Sequence, residues 1–73
     1  MVLTEAKLHA MVKSDQEFAG LVKIHGLPVA VADCREGGHD GEICMAGRCV
    51  SRKMLVIRCD HFNGCTKYET INC

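Results

Sequence analysis

The sequence predicts a small, partly irregular α+β fold: short N-terminal helices, then a Cys/His-rich part of short strands and loops. Three observations predict it. The chain has 73 residues, enough for one domain. Residues 1–33 hold no cysteine and repeat apolar residues at helical spacing, whereas all six cysteines fall within residues 34–73. That second part breaks into short β-prone runs separated by glycine. A chain this short buries only about 60% of the surface its unfolded form exposes, so it needs a staple beyond its core. Six cysteines fall in the range of disulfide scaffolds.

The elements follow in order. "TEAKLHAMVK" reads as a helix capped by Thr4, with Leu8, Met11 and Val12 on one face. "SDQEFAGLVKIHG" reads as a second helix. Ser14 and Glu17 form a capping box, Asp15 suits the positive terminus, and Phe18, Leu21 and Val22 make the apolar face. Gly26 closes this helix and Pro28 cannot continue it. "LPVAVAD" is extended and delivers the chain to Cys34. "REGGHDG" is a loop, and "EICMAGRCV" reads as two β-like arms around a turn at Ala46-Gly47. "KMLVIRC" is apolar on both faces, which marks a buried strand. "DHFNG" is a turn with Asn63-Gly64 at positive φ, and "TKYETI" alternates as a closing strand.

Composition removes several functions. Nine basic and nine acidic side chains leave no net charge, which argues against bulk nucleic acid or an anionic membrane as partner. Phe18, Phe62 and Tyr68 are the only aromatics, so stacking platforms are poorly supplied. No run reaches transmembrane length and none has the form of a signal peptide. Met1 reads either as the start of a cytosolic chain or as a start codon standing where a secretion signal was removed. Cysteine density favours the second.

Cysteine spacing is C-x9-C-x4-C-x9-C-x5-C-x7-C, without C-x-C, C-x2-C or an adjacent pair. Six cysteines allow fifteen disulfide connectivities, and the spacing selects none. Two histidines offer another organisation. Cys34, His39, Cys44 and Cys49 make one Cys3His set, and Cys59, His61, Cys65 and Cys73 make a second. Zinc takes such closed tetrahedral sulfur/nitrogen sites when its role is structural. The expectation is therefore a zinc-stabilised, zinc-finger-like domain with two or more Zn2+ sites, their ligands consecutive or interleaved. Three disulfides remain the competing organisation. Arg48, Arg52, Lys53 and Arg58 lie in a stretch free of acids. They could offset thiolate charge, contact nucleic acid or a protein partner, or simply be a solvated hairpin face.

The pair "CREGGHDGEICMAGRC" and "RCDHFNGCTKYETINC", behind a helical N-terminal third, resembles the small zinc-binding avirulence effectors of rust fungi, the AvrP-like kind. The resemblance spans about 40 residues of Cys/His pattern. It implies a secreted, elongated protein with interleaved metal sites, acting in the host cytoplasm or nucleus and perceived by a plant resistance protein. The eight Cys and His residues named above would then be the metal ligands. Two further readings stand beside it. One is a disulfide-stapled secreted inhibitor or toxin presenting Met45 or Arg48 on an exposed "CMAGRC" turn. The other is a nucleic-acid-binding zinc finger. An enzyme is not expected, because closed four-ligand sites leave no position for substrate and no Ser/His/Asp or paired-carboxylate motif presents itself.

Overall fold

The computed structural model describes residues 5–31, 41–60 and 64–73, and the side chains of 6–31, 41–58 and 67–73. Two helices, α1 (Glu5–Ser14) and α2 (Gln16–His25), precede four strands: β1 (Val29–Ala30), β2 (Ile43–Val50), β3 (Lys53–Asp60) and β4 (Gly64–Asn72). The strands form one antiparallel sheet in the order β1-β2-β3-β4. The α+β expectation holds among these residues.

The break between the helices is made by one residue. Asp15 donates its N–H to the Met11 carbonyl, 2.8 Å away, completing the last turn of α1. Its own carbonyl accepts the first bond of α2 from Ala19 at 3.0 Å. Its side chain then accepts the Phe18 N–H at 3.1 Å, which is the N-cap bond from the third helical residue. The cap is thus Asp15 and not Ser14, which ends α1 and turns its hydroxyl back to Met11. Gly26 closes α2 as expected, at φ 82°, with its N–H on the Val22 carbonyl.

Both helices lie on one face of the sheet. Leu8 and Phe18 pack with Cys44, Met45, Leu55 and Ile57 in a single buried cluster, flanked by Met11, Val12, Leu21 and Val22. The apolar helix faces read from spacing are therefore the faces that bury. In β3, Leu55, Val56 and Ile57 are all fully buried. Alternation along a strand sends Val56 to the face opposite Leu55 and Ile57, so this strand is covered on both sides.

The region 43–50 departs from expectation. It is one strand, and no turn sits at Ala46-Gly47. Its register against β3 is instead irregular between Ala46 and Cys49. Gly47 is needed for a different reason: a Cβ there would lie 2.8 Å from the His25 carbonyl oxygen, where α2 ends against β2. The chain reverses at Ser51-Arg52, both at positive φ (54° and 65°). These are the two central residues of a hairpin whose ends, Val50 and Lys53, pair. That is the handedness two-residue hairpins require, adopted here by residues with a Cβ. The turn expected over "DHFNG" and the loop "REGGHDG" lie largely outside the described residues.

Candidate functional site: a disulfide clasp beside the hairpin tip

The three cysteines whose side chains are described are bonded. Cys49, in β2, is joined to Cys73, which follows β4, with Cα atoms 6.1 Å apart and a separation of 24 positions in sequence. The bond crosses from the first Cys3His set to the second. Cys44 is also disulfide-bonded, and its sulfur sits fully buried 3.3 Å from the Ile57 carbonyl oxygen. As bonded here, Cys44, Cys49 and Cys73 are not thiolates, the form in which sulfur binds zinc. These three therefore do not fit a zinc ion in this oxidation state. Among the described residues no group of three or more His, Cys, Asp or Glu side chains converges. Cys34 and His39, like His61, lie outside the described residues. Cys59 and Cys65 are described in backbone only, where they stand opposite each other across β3 and β4.

The clasp sits next to the tightest turn of the sheet. Cys73 donates its N–H to the Arg52 carbonyl at 3.1 Å, so the chain's last residue is tied to the hairpin tip through backbone as well as sulfur. Both cysteines are exposed.

The four cations expected to act together are dispersed. Arg52 and Lys53 are exposed at the tip. The Arg48 guanidinium lies over Gly26 at the end of α2: a Cβ on Gly26 would be 3.3 Å from its Nε. A cation there complements the negative end of the helix dipole. Arg58 forms an ion pair with Glu69 and donates from Nη1 to the Gly41 carbonyl at 2.7 Å. Alternation also places Lys53 and Arg58 on opposite faces of β3. These four cations thus form no single phosphate-binding face.

Two further features escaped sequence reading. His25 is buried, and its Nδ1 lies 3.0 Å from the Arg48 carbonyl. A carbonyl only accepts, so the ring donates Nδ1–H, and the imidazole pins the end of α2 to β2. Tyr68 stacks obliquely on Phe18, with centroids 4.8 Å apart and planes at 55°. Its hydroxyl donates to Asp15 Oδ2 at 2.6 Å. The phenol is pushed up to about 12, chiefly because ionising it would lose that bond to a carboxylate. Asp15 is held below its ordinary value, first by the Tyr68 hydroxyl and then by the Phe18 N–H. The signal for the cap was present as an aspartate three residues before a buried Phe. Nothing in the sequence pointed to a tyrosine 53 residues away.

The turn expected to present Met45 or Arg48 is not formed, although Arg48 itself is exposed. Cys44 to Cys49 is strand, and Met45 is only 9% exposed, part of the core. No helix among the described residues is long and apolar enough to cross a membrane. No protein-family model, curated protein or solved structure matches this chain.

Proposed function

We propose that the protein is a non-enzymatic, disulfide-stapled interaction module of a secreted kind, whose work is to present a rigid surface to a protein partner. The Cys49–Cys73 bond carries this reading. It joins the two cysteine sets across the sheet, uses sulfurs the zinc organisation would claim, and belongs to an oxidising compartment. The clefts agree with a binding role. An apolar groove of about 290 Å³ runs between Leu8, Pro28, Val29 and Met45, beside exposed Val29 and Val31 at the β1 edge. Neither groove nor clasp gathers a nucleophile with a base.

The zinc-binding effector reading, with a host resistance protein as partner, draws on the same sulfurs. One sample decides between the two. Intact mass of the unreduced, denatured chain should lie about six units below the reduced mass, by two hydrogens per bridge for six cysteines. The native protein should carry no stoichiometric zinc. A fully reduced mass together with about two zinc ions per chain would overturn the proposal in favour of the Cys3His sites.

A further inference from the structure

Strand β4 forms one border of the sheet. Its inner edge pairs with β3, and among the described residues no strand pairs with its outer edge. It is nine residues long, longer than the usual strand of about five or six. Such an edge presents a row of backbone N–H and C=O groups able to accept another strand. At its middle stand Lys67, Tyr68 and Glu69. Lys67 and Glu69 are exposed and share the face opposite the helices, while Tyr68 turns toward Phe18 and Asp15.

We propose that the protein self-associates through β4, antiparallel to β4 of a second copy, with the two-fold axis at Tyr68. The strand is its own electrostatic complement in that register alone. Lys67 then faces the partner's Glu69, and Glu69 faces the partner's Lys67, with Cβ atoms about 5 Å apart. Centring the axis on Lys67 or on Glu69 instead opposes like charges. A slip of one residue would turn the second copy's helical face to the other side of the sheet, which a two-fold axis normal to the sheet does not allow. Each Glu69 carboxylate already meets Arg58 of its own chain. A carboxylate has two oxygens and several lone pairs, so the second copy's lysine completes a network of Arg58, Glu69 and Lys67 without displacing the existing pair. The two four-stranded sheets become one continuous sheet with both helical layers on the same side. A strand edge alone buries less than the roughly 1,200 Å² of a stable interface, so the dimer is weak and concentration-dependent.

Sedimentation equilibrium of the oxidised full chain, from micromolar to about millimolar, tests this. The wild type should dimerise. Lys67→Glu and Glu69→Lys should each weaken dimerisation by at least about tenfold. An equimolar mixture of the two variants should recover it, since each supplies the charge the other lacks. The double swap Lys67→Glu/Glu69→Lys should recover it as well, which separates lost pairing from a damaged fold. A wild type monomeric throughout, or a dimer indifferent to both reversals, or variants that the mixture and the double swap fail to rescue, would overturn the proposal.

Discussion

On the helix-bearing face, Phe18, Leu55 and Ile57 are sealed from water and hold one another by burial alone. At the hairpin end, Cys49 and Cys73 are exposed and hold β2 to the chain terminus by a covalent bond. The first arrangement stabilises the folded state, because apolar area leaves water only when the core forms. The second acts mainly on the unfolded chain, by removing conformations from it. A small domain uses both because neither suffices at this length.

Truncating the core should have the largest effect. Phe18 is fully buried and touches both the cluster and the Tyr68 ring. Phe18→Ala should cost about 3–5 kcal/mol, through lost transfer energy and the cavity left behind. That is a large share of what a domain of this size has in total. The expected observation is a variant largely unfolded in dilute buffer by far-ultraviolet circular dichroism, even with its disulfides intact. Native ellipticity and an unchanged denaturation midpoint would mean that the cysteines alone carry the fold.

Opening the clasp should rank second. Cys49→Ser/Cys73→Ser releases a loop of 24 residues, for which loop-closure entropy gives roughly 3 kcal/mol. The variant should keep its native spectrum and lose stability in urea titration, since the native contacts of the sheet survive. The backbone bond from Cys73 to Arg52 should fray with it, visible as faster amide exchange at the hairpin tip. A spectrum that collapses like that of Phe18→Ala would erase the distinction between the two regions.

How much of this was legible depends on which region one considers. The helices and β3 were readable because burial leaves a periodic trace: Leu8, Phe18, Leu21 and Val22 recur at helical spacing, and Leu55 to Ile57 run apolar on both faces. The hairpin was misread by its glycine. Gly47 looked like a turn residue, yet it is glycine because the His25 carbonyl approaches too closely for a Cβ. The true turn, Ser51-Arg52, holds positive φ without glycine or asparagine and so left no signal. The clasp was invisible for a combinatorial reason. Spacing cannot choose among fifteen pairings, and Cys49 meets Cys73 only because the sheet brings the end of β4 beside the end of β2. Of the eight candidate ligands, only Cys44, Cys49 and Cys73 have described side chains.

The smallest effect lies where the helices meet β4, at the hydrogen bond from Tyr68 to Asp15. Tyr68 is the only tyrosine, so the ultraviolet absorbance of tyrosinate reports on this one contact. In the native protein the phenol should ionise near pH 12. In Asp15→Asn the carboxylate is gone, and the midpoint should fall toward the ordinary value of 10.0. The stability consequence has a sign at each end of the pH scale. The folded phenol sits above its unfolded value, so its contribution is complete below pH 10 and lost as pH rises through about 12. Asp15 is depressed in the folded state, so its contribution is present above its ordinary 3.8 and lost as pH falls through the lower folded value. Tyr68→Phe keeps the ring stacked on Phe18 and removes only the hydroxyl. It should therefore flatten the alkaline limb completely and the acid limb in part, because the Phe18 N–H still caps on Asp15. A tyrosine that titrates near 10 in the wild type would show that the contact is not held in solution. The join between helices and sheet would then rest on the Phe18–Tyr68 ring contact, the His25–Arg48 hydrogen bond and the buried core.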